Sequence, residues 1–196
     1  MIRDLLIEPQ VGDNAAVIDL GDRYLVVTTD PITFAADHIG RYTVHIITMD
    51  VTVPGARPLW FFVVMLLPES HRTPGPAETI MTDVRTTCDE LSVTLGGGYT
   101  EITQGLDRRI LVGQMIGEVA PTSLVRKTRI ATGDQILLTR SVAIEGTAML
   151  AREKLHLGVF QQPRLVSTVD FERGSERKGS GKGCTLANCK IGECSS

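Results

Sequence analysis

VHIITMDVTVPGARPLW, residues 44–60, changes its period partway along. Val44, Ile47 and Val51 recur at helical spacing with Ile46 and Met49 beside them, so the spacing predicts a helix over 39–53. Pro54-Gly55 stops it. PLWFFVVMLLP (58–68) then reads as a short continuous apolar strand, buried on both faces. One carboxylate, Asp50, interrupts the helix. An unpaired carboxylate is costly to bury, so Asp50 has four outlets: exposed, paired, protonated or holding a cation.

Outward from this stretch, AAVIDL (15–20) and RYLVVTT (23–29) are rich in β-formers around a Gly21-Asp22 turn and read as a hairpin. Residues 76–91 form an amphipathic helix with Ile80, Val84, Cys88 and Leu91 on one stripe, where Cys88 reads as a small core residue. VTLGGGYTEIT (93–103) and RRILVGQMIGEV (108–119) give two strands joined by a turn near Gln104-Gly105. DQILLTR (134–140) reads as another strand and VAIEGTAMLAREKL (142–155) as another helix. The order ββαβαβββα is an α+β pattern without internal repeat.

The totals bound the rest. A chain of 196 residues with 42% hydrophobic and 22% charged residues is an ordinary globular composition. A net charge of -3 and an isoelectric point near 5.8 argue against a nucleic-acid partner. The longest apolar stretch is too short and too proline-bounded to cross a bilayer, and MIRDLLIEPQ lacks a signal-peptide core. A cytoplasmic protein without membrane contact is expected. After about residue 157 the chain becomes polar and low in complexity, and 158–196 is expected to be a poorly ordered tail. Cys184, Cys189 and Cys194 fall in that tail, where they suggest a thiolate metal or redox element at most, with no fourth ligand nearby.

The chemistry-bearing residues are acids at the ends of elements and a run of glycines. Asp13 precedes the first strand in VGDNAAVI, Asp30 closes the second in TTDP, and Asp50 lies in the helix. Gly96-Gly97-Gly98 leads through Tyr99 and Thr100 to Glu101. Carboxylates converging on a glycine-rich turn are what a Mg²⁺-nucleotide site asks for: hard oxygen ligands for the cation, and backbone N–H groups free to approach phosphate. The same acids also serve as turn or cap residues in many folds. Of the histidines, His38, His45, His71 and His156 are scattered, and His45 stands out for sharing a helix with Asp50.

GDNAAVIDLGDRYLVVTTDPITF, DVTVPGARPLWFFVVMLLPE, LGGGYTEIT, RRILVGQMIGEV and GDQILLTRSVAIEGTAMLARE, in this order, resemble the aminoimidazole ribonucleotide (AIR) synthase superfamily over about 11–155. The branch they look most like holds AIR-synthase-related proteins similar to the hydrogenase-maturation factor HypE. Thiamine monophosphate kinase and selenophosphate synthetase are more distant. The resemblance implies an N-terminal domain of mixed sheet and helices, whose strands pair across a two-fold axis into a dimer β-barrel, followed by a second α/β domain. On that pattern 1–120 is the ATP-binding domain and 121–157 the start of a truncated second one. ATP is implied near the dimer interface with Mg²⁺ on its phosphates. Asp13, Asp30 and Asp50 are the implied metal ligands. Together with Gly97, Gly98, Thr100 and Glu101 they form the implied nucleotide site. In such a family Asp50 faces the nucleotide cleft and pairs with a cation.

The departures from the family pattern weaken that site. The second acid of the GDDAA motif is Asn14 here, the N-x-N ahead of the acid is replaced at Ile47 and Met49, and the His or Asp of GGHT or GGDT is Tyr99. The resemblance stops early in the second domain, and GECSS does not match the reactive-cysteine ending of HypE. Two functions are expected from different classes. One is an ATP-dependent phosphoryl-transfer or dehydration step of the hydrogenase-maturation kind. The other is a catalytically impaired domain serving as a dimerising nucleotide-binding or structural module, with a partner chain in place of the absent half.

Overall fold

The computed structural model describes residues 5–7, 12–33, 37–71 and 73–135. The chain divides into two compact units, Met1–Val125 and Arg126–Ser196. In the first, strands β1 (Leu5–Ile7), β2 (Ala16–Asp19), β3 (Tyr24–Ile32), β4 (Arg57–Pro68), β5 (Thr94–Thr103) and β6 (Ile110–Val119) are joined in one sheet. Their order across it is β1-β2-β3-β6-β4-β5, antiparallel except for the parallel pair β4–β5. Helices α1 (Ile39–Thr52) and α2 (Pro74–Glu90) lie on the sheet and on each other. The mixed sheet with two helices is the α+β architecture expected. Among the described residues, no helix is long and apolar enough to cross a membrane. The described part of the second unit, 126–135, holds one 3-10 turn, Lys127–Arg129. The strand and helix expected at 134–140 and 142–155, and the cysteine tail, lie outside the described residues.

The turn from α1 into β4 is fixed by Gly55. Its φ of +89° suits glycine, and a Cβ there would sit 2.7 Å from the Ser123 carbonyl oxygen. The Val125 N–H donates to the Pro54 carbonyl at 2.9 Å, holding the same corner closed. α2 begins with Pro74 in its first turn, where a missing N–H costs nothing.

Two glycines of β6 set how closely α1 approaches the sheet. A Cβ on Gly113 would lie 2.8 Å from Ile47, 2.9 Å from Thr43 and 3.0 Å from Phe61. One on Gly117 would lie 2.5 Å from Val51 and 2.6 Å from the Arg57 carbonyl oxygen. Thr43, Ile47 and Val51 thus form the stripe of α1 pressed on β6. Under the helices Phe61, Val63, Met65, Leu67, Leu111 and Met115 are almost fully buried.

Among the described residues, the opposite face of the same strands is open. Trp60 (39% exposed) and Val64 (37%) alternate with the buried residues of β4, so this strand is not covered on both sides as its apolar run suggested. The helices cover one face, and a continuous apolar run does not say whether its own chain covers the other. β5 and β6 also differ from a simple hairpin. The turn with Gly105 at φ +81° is present, but β4 lies between the two strands. Leu5–Ile7 adds a strand too short to show a period.

Candidate functional site

Asp30 is inside β3, not at its end, because the strand continues through Pro31 to Ile32. It stands opposite Gly113 in the antiparallel pairing, and paired residues share a face. Since Gly113 looks at Ile47 and Thr43, Asp30 is on the α1 side of the sheet, in line with buried Val26 and Thr28.

Asp50 is 1% exposed, which removes the first of its four outlets. Its direction follows from helix geometry. Arg41, which meets Glu90 of α2 at 3.1 Å, marks one flank of α1, and Ile47 marks the side facing β6. At 100° per residue Asp50 falls on the other flank with Ile39 and Ile46, toward β3. Along the axis it sits between Ile47, level with Asp30, and Val51, level with Gly117 and its β3 partner Val26.

The loop before β2 comes to the same place. Thr28, buried on this face, donates its hydroxyl to the Asn14 carbonyl at 2.6 Å and ties the Asp13-Asn14 backbone beside β3. Thr28 was not singled out in the sequence. Its signal is weak: a threonine two residues before an acid on the inward parity of a strand. Asp13, Asp30 and Asp50 therefore approach one side of β3, each already engaged within the fold. Among the described residues, no group of three or more His, Cys, Asp or Glu side chains is gathered as a metal-ligating set.

The glycine run is placed differently. Gly96, Gly97 and Gly98 belong to strand β5, not to a turn, and β5 pairs only with β4 among the described residues. The register slips at Phe61/Phe62, so Gly98 pairs with Val63 and Thr100 with Met65, on the helix side. Gly97, Tyr99 and Glu101 share the open face with Phe62, Val64 and Leu66. A Cβ on Gly98 would run into the Val63 carbonyl, so that position requires glycine. Three strand spacings, about 14 Å, separate β5 from β3. One chain does not bring Glu101 and Gly97 to the acids. It sets them on opposite faces.

Ile47, where the family pattern has a polar residue, is fully buried against Gly113. His45 lies on the α2 flank, away from Asp50. Burial is the main reason its pKa is lowered, Arg41 adds to this and Glu90 opposes it. Its Nε2 is buried without a hydrogen-bond partner. Burial pushes the Cys88 thiol up to about 12, as an inert core cysteine requires. His38, at the start of α1, contacts Asp83 in the middle of α2 at 3.3 Å.

The family description "AIR synthase related protein, N-terminal domain" matches residues 12–119. A hydrogenase expression/formation protein of Methanocaldococcus jannaschii is 30% identical over 143 residues, covering 70% of this chain and 42% of that protein. Among solved structures, HypE in a HypE–HypF complex superposes with a TM-score of 0.63 at 20% identity, covering 73% of this chain and 48% of that one. HypE in complex with ATP gives a TM-score of 0.61 at 24% identity, covering 74% and 44%. The chain thus spans less than half the length of each of these three proteins.

Proposed function

The chain belongs to the AIR synthase related family through residues 12–119, and on that premise we propose that this domain binds ATP for an ATP-dependent phosphoryl-transfer or dehydration step. The observation that carries the reading is the approach of Asp13, Asp30 and buried Asp50 to one side of β3, with Thr28 anchoring the Asp13 loop. Likeness to a hydrogenase expression/formation protein supports a role in hydrogenase maturation. The neighbour solved as a HypE–HypF complex supports a protein partner.

Magnesium fits the donor set in kind. It takes hard oxygens, keeps several waters, and commonly uses one or two carboxylates plus the phosphates of its nucleotide, so it does not need a three-acid cage. Asp13, Asp30 and Asp50 are assigned to hold it, directly or through water, once phosphate completes the shell. The ion would neutralise phosphate charge as it develops. Gly98 and Thr100 share the acids' side of the sheet, and the edge of β5, unpaired among the described residues, offers backbone N–H groups to phosphate. Gly97 and Glu101 lie on the open face, away from the acids, and are left out of this nucleotide site. The exposed apolar face with Trp60 and Val64 supports a homodimer.

A second reading is supported by Ile47. A polar partner of the acid has become core, and the described acids are not gathered as a ligand set. On that reading the domain is a dimerising nucleotide-binding module whose chemistry depends on another chain. Equilibrium ATP binding with wild type, Asp30→Asn and Asp50→Asn tests the site. Both variants should bind at least about tenfold more weakly, the loss expected of a charge-assisted contact. Unchanged affinity in both removes the acids from the nucleotide site. Wild-type binding without turnover selects the second reading.

A further inference from the structure

We propose that Gln114 faces the Gln114 of a second copy across a two-fold axis and fixes the register of the homodimer. This rests on the self-association reading above and goes beyond it, to the residue that sets the geometry.

The pairing registers of β3, β6, β4 and β5 put the open face in rows. One row is Val27, Ile116, Trp60 and Thr94. The next is Thr29, Gln114, Phe62 and Gly97. The third is Pro31, Val112, Val64 and Tyr99. Charge appears only beyond them: Glu118 with Arg57 opposite it and Arg23 at 3.1 Å beyond the first row, and Glu101 beyond the third. The Gln114 row is therefore the middle of the face, and β6 is one of its two inner strands.

A two-fold contact sets a patch against itself, so whatever lies at the axis must tolerate its own copy. A charge does not. An amide does, because it carries both donors and an acceptor and can pair with another amide. Gln114 is exposed on β6 amid apolar neighbours, beside Thr29, whose hydroxyl donates to the Gly113 carbonyl at 3.1 Å. Once the face is covered, an amide set against an aliphatic side chain loses its hydrogen bonds to water without replacement. Apolar contacts alone tolerate sliding between rows, whereas a central amide rewards one alignment. A single buried polar residue fixes register in coiled coils in the same way. The charge-free centre and the self-matching amide favour a second copy over an unlike partner as the occupant.

The test is a charge exchange at this position in the full chain, followed by sedimentation. Gln114→Glu and Gln114→Lys, each alone, should associate on the order of 100-fold more weakly than wild type, because like charges meet at the axis. Mixed in equal amounts they should recover a one-to-one heterodimer within about tenfold of wild-type affinity. Thermal unfolding of both variants close to wild type shows that the fold survives. A mixture no tighter than either variant alone overturns the proposal, as does wild-type association by Gln114→Glu at neutral pH. Trp60→Glu keeps the two levels of failure apart. If it dissociates the wild-type dimer while the mixture fails, the open-face dimer stands and the role of Gln114 falls. A wild-type monomer at micromolar concentration overturns both.

Discussion

The two faces of the central strands are built from similar residues and do different work. On the covered face, Gly113 and Gly117 let α1 settle until Ile47 and Val51 touch the strand, and Phe61 and Met115 are fully enclosed. That close approach holds Asp50 beside β3 and near the loop of Asp13. On the open face, Trp60, Val64 and Tyr99 leave apolar surface in water, with one amide at its middle. Burial within the chain positions the acids. Apolar surface left over is what a second chain can use.

The largest way to break this contrast is Phe61→Ala. It leaves a cavity under the helices and should cost about 3–5 kcal/mol, read as a lower urea midpoint. Its counterpart on the open face, Val64→Thr, should stay within about 0.5 kcal/mol for the unassociated chain while weakening self-association. If the two shift the midpoint equally, the faces do not differ as described. Gly117→Val comes next. Its added carbon meets the Arg57 carbonyl as well as Val51, and backbone yields less readily than side chain, so a loss of about 1–3 kcal/mol is expected. Nucleotide affinity should fall with it, because α1 carries Asp50.

The smallest effect concerns pH. His45 has its pKa lowered in the folded chain, chiefly by burial, from an ordinary value of 6.5. Below that value the unfolded chain takes up a proton while the folded imidazole stays neutral. The stability His45 contributes is therefore complete above about 6.5 and declines as the pH falls beneath it. Urea midpoints from pH 7.5 down to 5.5 should drop, and His45→Gln should flatten the drop. A midpoint that rises on acidification contradicts the buried neutral imidazole.

How legible was this in the sequence? The helices were, because both have a clear apolar stripe, a proline–glycine stop in one case and a proline start in the other. The hairpin of β2 and β3 was, from its glycine turn. Asp30 reads in the sequence as a strand end because Pro31 reads as a breaker, whereas β3 runs on to Ile32. β2 stops opposite Val27, however, and beyond it β3 is paired on one side only among the described residues, where proline is tolerated. The single open face of β4 was hidden, since apolarity records what a residue tolerates and not which chain covers it. The split of the glycine run between two faces was hidden too. One extra residue in the β4–β5 register moves every later side chain to the other side, and composition carries no trace of that slip. The acids themselves were legible only through the family motifs, because acids near turns are common in every fold.

The central claim is that the acids on the β3 side of the covered face serve a nucleotide through a divalent cation. Calorimetric titration of ATP into the full chain, with magnesium and again with EDTA, tests it most directly. Affinity at least about tenfold higher with magnesium is the predicted result, and equal affinity in the two conditions, or no binding in either, contradicts it.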